Sequence, residues 1–349
     1  MKRICLTLLI FLVVCPLYAD DVLAPIPIRS EFLLSAGYLT LTASSTDVVP
    51  NRRWAYELRV SSANTFAVSK QISTSLKRVN RPSTWHPDRL RAETGDVFVV
   101  DGEVQRTSLT LRRGTDRGEL FVSIPILSAS RAGGDRLIER FHSQFHLGND
   151  GRRAIPRDRR FVYMKSGTRE LLRTGEGQTG LGDITIGTKH SLPPIGKTAL
   201  AVETLVELPT GNNEKLFGSG SADAAVNLLA SRRSERSNIF AATGLTRLGE
   251  NVILGVGDRT IITTMAGYSR VIVPYTSASI QMTTANTPFR GLRWPELGER
   301  FYQWSVAMQR QLHSGQVVHF ALAENAIHYE NSADFGVQFG ISDGYHRHR

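Results

Sequence analysis

The 349-residue chain has two cysteines, and both, Cys5 and Cys15, fall within its first fifteen residues. Beyond them no thiol remains to pair, so a disulfide framework is excluded even in an oxidising compartment. The sequence also lacks a second long apolar run. The single one, Ile4 to Val14, follows Lys2 and Arg3 and ends before Asp20 and Asp21. It is shorter than the ~20 residues a membrane helix needs, and reads as a secretory signal peptide over 1–19, cut after Ala19. Cys15 makes a poor lipoprotein site, with bulky Val14 before it and Pro16 after it. Acidic residues are in deficit, 32 against 42 basic ones, for a formal charge of +10. Loss of Lys2 and Arg3 with the signal leaves +8. For an exported chain this points away from nucleic acid and towards outer-membrane lipid and lipopolysaccharide phosphate.

What fills the chain instead is period-two alternation. In Thr198 to Leu208, Leu200, Val202, Thr204, Val206 and Leu208 share one face, and Ala199, Ala201, Glu203, Leu205 and Glu207 the other. One apolar face and one wetter face describe a strand, not a helix. Trp54, Tyr56, Leu58 and Val60 repeat the pattern against Arg53, Glu57 and Arg59. Turn residues punctuate such segments, as in Gly114-Thr115-Asp116-Arg117-Gly118, and make successive strands antiparallel neighbours. An exported all-strand chain with no helical span can still cross a bilayer, if its sheet closes into a barrel.

The expected architecture is all-β: a transmembrane antiparallel β-barrel of about 14 strands, with 12 as the alternative. The count depends on whether the short pair about Ser166-Gly167 supplies two strands. Short turns alternate with longer loops, the asymmetry of an outer-membrane barrel whose termini face the periplasm. The expected divisions are a signal peptide over 1–19, a periplasmic N-terminal segment over 20–53, the barrel over 54–341 and an extension over 342–349. Leu137, Ile138, Phe141 and Phe145 recur at helical spacing, which predicts a short loop helix near 134–147. Asp334 to Ile341 carries a polar residue, a glycine two places on, then alternating hydrophobics. That pattern resembles the C-terminal signal read by the barrel-assembly machinery, although the chain runs on to Arg349.

Several phrases in order, DGEVQRTSLTLRRG, GGDRLIERFHSQFHLGNDGRR, GLGDITIGTKHSL, ELPTGNNEKLFGSGSAD and ENAIHYENSADFGVQFGIS, resemble the bacterial family known as domain of unknown function 3187. The resemblance runs from about Trp54 to Ile341 and implies an outer-membrane β-barrel, with no activity attached.

The residues themselves contain no catalytic constellation. Gly211 to Gly220 lacks the glycine-lysine-serine/threonine ending of a phosphate loop and precedes a strand. His142 and His146 stand at i and i+4, but Ser143 occupies the place of a zinc-protease glutamate, and two nitrogens alone make a poor metal site. His319 has no serine at a useful spacing and reads as a lumen-lining histidine. No enzyme, cofactor or metal is therefore expected. The polar faces place Glu57, Arg59, Arg106, Arg112, Asp183, Lys189, Glu203, Glu207, Gln303 and Gln309 in the lumen. They fit a hydrophilic channel for small solutes of unknown identity or, alternatively, the internal salt bridges of a non-conducting envelope scaffold. Two long loops concentrate basic residues: Lys77, Arg78, Arg81, Arg89 and Arg91 in one, Arg131, Arg136, Arg140, Arg152, Arg153 and Arg157 in the next. Arg152, Arg153 and Arg157 are the candidate lipopolysaccharide-phosphate contacts, because guanidinium forks suit phosphate.

Overall fold

The structure, a computed structural model, describes residues 21–76, 89–93, 95–131, 133–144, 152, 155–174, 177–326 and 330–343. Fifteen strands form one antiparallel sheet. They are β1 (Trp54–Val68), β2 (Val97–Thr115), β3 (Gly118–Ser130), β4 (Phe161–Ser166), β5 (Arg169–Thr174), β6 (Gln178–Leu181), β7 (Ile184–Ile195) and β8 (Thr198–Leu208). The remainder are β9 (Asp223–Arg233), β10 (Ser237–Leu248), β11 (Arg259–Val273), β12 (Thr276–Ala285), β13 (Phe301–Gln311), β14 (Val317–Asn325) and β15 (Phe335–Ser342). β1 pairs with β2 on one side and with β15 on the other, so the sheet closes on itself. Closure leaves no exposed backbone edge, which a strand structure in lipid requires. Four short helices lie outside the wall: α1 (Lys70–Leu76), α2 (Arg89–Ala92), α3 (Asp135–Gln144) and α4 (Pro295–Gly298). α3 is the loop helix expected near 134–147.

The barrel has twelve staves, not fourteen. The pair about Ser166-Gly167 is the β4–β5 hairpin, which extends the far end of β2 through Val97↔Lys165 to Asp101↔Phe161 and never enters the closed ring. β6 and β7 are two parts of one stave, both paired to β3: Ile126↔Leu181 on one side of a break, Glu119↔Lys189 on the other. The break falls at Gly182-Asp183, opposite Pro125, whose carbonyl accepts from the Gly182 N–H at 2.9 Å. Proline has no N–H for the ladder, so a local interruption of pairing beside it is expected. The two- to five-residue turns between staves of the ring all lie at one end of the barrel, the end where β1 begins and β15 finishes. The longer loops cluster at the other end. The β7–β8 turn depends on Gly196 at φ 59°, a left-handed conformation in which a side chain would be strained.

Outward side chains are apolar and inward ones are mixed. On β10, Ile239 and Leu245 are exposed to the outside, whereas Asn238, Phe240, Ala242 and Thr246 are buried within. The core therefore lies inside the barrel, and the N-terminal segment supplies much of it. This corrects the expectation of a periplasmic segment over 20–53. Its described part enters at the short-turn end, where the Ser277 hydroxyl donates to the Val22 carbonyl and Asn238 Nδ2 donates to the Leu23 carbonyl at 3.0 Å. It rises past Pro27, whose carbonyl accepts from Arg59 at 2.8 Å, and turns over Phe32 to Leu39 beneath the long loops. It then descends, bonded through Thr46 to Ser231 and through the Val49 N–H to Glu119. The segment is a plug hairpin. The physical reason is its composition: Phe32, Leu33, Leu34, Ala36, Tyr38, Leu39 and Leu41 are each no more than 6% exposed and need apolar cover. The barrel interior provides that cover.

Candidate functional site in the barrel lumen

The plug divides the lumen unequally. On the β9–β13 side the wall turns Leu229, Phe240, Ala242 and Met265 inward, and these join the plug residues in one apolar cluster. The cluster continues upward as a cap. Leu216 and Phe217 from the β8–β9 loop, Leu254 from the β10–β11 loop, and Phe289, Trp294 and Leu297 from the β12–β13 loop all bury against the plug tip. Phe289 meets Phe32 and Tyr38 edge-on at ring-centroid distances of 6.5 and 6.4 Å. Gly37 packs against this cap so closely that a Cβ would stand 2.7 Å from the Gly218 nitrogen.

On the β1–β3 and β7–β8 side the wall is polar, and a cavity of about 150 Å3 remains between it and the plug. Its lining runs from Ser342 and Asp343 at the short-turn end to Pro125 and Asp183 below the cap. Near the short-turn end an ionic chain crosses four staves. Arg59 Nε approaches Glu57 at 3.4 Å, Arg112 reaches Glu119 at 2.7 Å, and Lys189 Nζ also reaches Glu119, at 3.2 Å. Lys189 is fully buried and additionally donates to the Ser45 carbonyl at 3.1 Å, so the chain holds the descending leg of the plug. Higher up, Arg106 Nε donates to both oxygens of Glu31 at 2.9 and 3.0 Å, and Arg29 stands 3.8 Å from the same carboxylate. Burial alone would raise the Glu31 pKa, but the two guanidiniums and the Ser61 hydroxyl outweigh it and hold the group below the usual glutamate range. Burial, and then the adjacent Arg106 charge, lower Arg29 to about 10.

Glu57, Arg59, Arg106, Arg112, Asp183, Glu203, Glu207 and Gln309 line this cavity. Lys189 and Gln303 point inward but lie off it, Lys189 within the ionic chain and Gln303 on the β13 wall beside β14. Asp183 sits in the β6–β7 break, where its carboxylate accepts from the Gly211 and Ser219 N–H groups, each at 2.7 Å, and so ties down the β8–β9 loop. His319 is buried, also lines the cavity, and lies 3.0 Å from Gln338 through Nε2. The sequence reading missed Arg29 and Glu31. The signal was present: two charges beside an apolar stretch, Phe32 to Leu41, that no span or helix explained.

The basic loops are arranged differently from the outward-facing expectation. Arg152 is buried at 4% exposure, donates to Asp135 at 3.0 Å and Asp334 at 2.9 Å, and also bonds Asn64. It is a clasp between α3, β1 and the segment leading into β15, because two buried carboxylates there need a cation. It is therefore not an outer-surface phosphate contact. Arg157 is partly exposed and pairs with Glu139, and Arg131, Arg136 and Arg140 are exposed. Lys77, Arg78, Arg81, Arg153 and His146 lie outside the described residues, as do the side chains of Arg89, Arg91 and His142.

A closed antiparallel barrel with an apolar outer face, short turns at one end and long loops at the other is the architecture of an outer-membrane β-barrel protein. The chain belongs to the family described as protein of unknown function (DUF3187), which matches residues 23–345. Among solved structures it is similar to the COG4313 outer membrane channel from Pseudomonas putida F1. The TM-score is 0.51 at 10% identity, covering 87% of this chain and 99% of that one. It is also similar to the NanC porin, with a TM-score of 0.41 at 6% identity, covering 84% and 100% of the two chains. At these identities the first likeness establishes the fold and nothing finer. No curated protein matches.

Proposed function

We propose that this protein is a plugged channel of the Gram-negative outer membrane, passing small polar solutes along the polar side of its plug. Under this reading residues 1–19 are the export signal and the short-turn end faces the periplasm. Asp334 to Ile341, most of which forms the ring-closing strand β15, is the segment offered to the barrel-assembly machinery. The observation that carries the reading is the one-sided packing of the plug. Apolar side chains fill the lumen between the plug and β9–β13, whereas charges of both signs border an unfilled cavity on the other side. A lumen that served only as a scaffold would gain stability by filling that side too, since replacing buried ion pairs by packed apolar groups is often neutral or stabilising. The similar channels named above lend support at the level of fold alone. No nucleophile constellation was found in the sequence, so the reading is not enzymatic.

The apolar cap over the plug tip favours a second reading, a non-conducting scaffold. Planar-bilayer recordings of the purified barrel separate the two. Small, stable conductance steps are expected from the intact chain, and steps several times larger from a variant lacking residues 21–50. A silent intact chain, together with a silent but folded deletion variant, would establish the scaffold instead.

A further inference from the structure

The chain as a whole carries a formal charge of +10, yet acids outnumber bases in the lining of its cavity. Four arginines line it against six carboxylates, a formal balance of −2. The two signs are also separated. The arginines belong to the plug, β1 and β2, and they are occupied: Arg106 by Glu31, Arg59 by Glu57 and the Pro27 carbonyl, Arg112 by Glu119. Of the two intervening staves, β3 presents only Phe121, Ser123 and Pro125 to the cavity and β7 only Thr185. Beyond them β8 contributes Glu203, the cross-strand neighbour of Lys189, and Glu207, and neither forms an ion pair among the described residues. Glu207 is 5% exposed; Thr185 donates to its Oε2 at 3.1 Å, and its Oε1 has no partner. A buried carboxyl oxygen on the wall of the cavity is costly unless something cationic or hydrogen-bonding meets it.

We propose that the β8 wall of the lumen is a binding subsite for a protonated amine, with Glu207 as its acceptor and Glu203 as a further acid on the same face. The inference rests on the channel reading for its biological sense, but the site itself is a property of the closed barrel. A primary ammonium has three donors, and the Glu207 carboxylate and the neighbouring Thr185 hydroxyl offer it acceptors at one level of the wall. The adjacent arginines are already neutralised by their own carboxylates, so they do not cancel the field of β8.

The test uses the intact barrel in detergent, titrated calorimetrically with ethylammonium and, separately, with acetate. Ethylammonium should bind and acetate should not, and Glu207→Gln should weaken ethylammonium binding at least tenfold. Glu207→Gln keeps the size and shape of the side chain and its acceptor for Thr185, so heat-modifiable gel mobility should be retained. Glu203→Gln, four residues away on the same face, should weaken binding less. Equal binding of acetate, or ethylammonium binding unchanged in both variants, would overturn the proposal. The reversal potential across a salt gradient separates the two readings. Amine binding lost in Glu207→Gln, with no conductance in any form, keeps the subsite and removes the channel. Conductance without amine binding keeps the channel and removes the subsite.

Discussion

Glu31 is the side chain on which plug and wall most directly depend. It is 3% exposed and accepts from Arg106 and Ser61, so a change there strands a buried guanidinium and a hydroxyl together. Removing one partner of such a pair typically costs about 3–5 kcal/mol. Glu31→Gln is therefore expected to loosen the plug while the lipid-facing wall stays intact. The same carboxylate sets an acid limit. Its folded pKa lies below the ordinary glutamate value, so its contribution is complete above that value. It disappears only as pH falls through the depressed folded pKa. Ala36→Cys, at a site 2% exposed in the plug tip, supplies a reporter. Thiol exchange with 2,2′-dipyridyl disulfide, which proceeds in acid, should stay slow through the normal glutamate range and accelerate only in stronger acid. In Glu31→Gln it should be fast already at neutral pH. Equally slow labelling of both forms at every pH would remove Glu31 as the fastening.

At the scale of elements, the plug hairpin is anchored unequally along its length. Its tip is held by apolar burial beneath the loop cap, and its descending leg by hydrogen bonds and ions. Thr46 Oγ1 and Ser231 Oγ stand 2.7 Å apart, and no native cysteine follows Cys15 to compete with an engineered pair. Thr46→Cys with Ser231→Cys should therefore cross-link under mild oxidation, seen as a gel-mobility shift reversed by reductant. If solute passes beside a stationary plug, conductance should be the same oxidised and reduced. A conductance that falls on oxidation would mean that the descending leg must leave the wall for the channel to open. The Gly182-Asp183 break belongs to this scale as well. By interrupting one stave, it frees a carboxylate to hold the β8–β9 loop, whose Phe217 caps the plug.

For the whole molecule, the decisive feature is a closed sheet filled from within. Every stave has two neighbours, and the lumen is packed by a segment of the same chain, so unfolding must break both together. The protein should fractionate with the outer membrane and run faster on gels unheated than boiled, as compact detergent-resistant barrels do. Recovery in the soluble periplasmic fraction, with mobility indifferent to heating, would contradict the barrel reading at its root. The charge distribution also acts at this scale. Exposed arginines such as Arg131, Arg136 and Arg140 lie near the long-loop helix, while the cavity is net acidic, so the overall charge is a poor guide to the preferred solute.

The sequence by itself determined the strands, their faces and the barrel, because period-two alternation is a local property that no tertiary contact has to supply. Glu203 and Glu207 share the inward face of β8 for the same reason. It could not determine the number of staves. The β4–β5 hairpin alternates like any other pair, and only its pairing to the projecting end of β2 removes it from the ring. The plug escaped local reading too: Phe32 to Leu41 has neither strand nor helix period, and what buries it comes from the barrel wall and from loops as far away as Phe289 and Trp294. Arg152 looked like a surface cation among basic neighbours until folding brought Asp135 and Asp334 to it from opposite sides in sequence. Burial of a charge depends on which partners reach it, and those partners are assigned by the closed sheet.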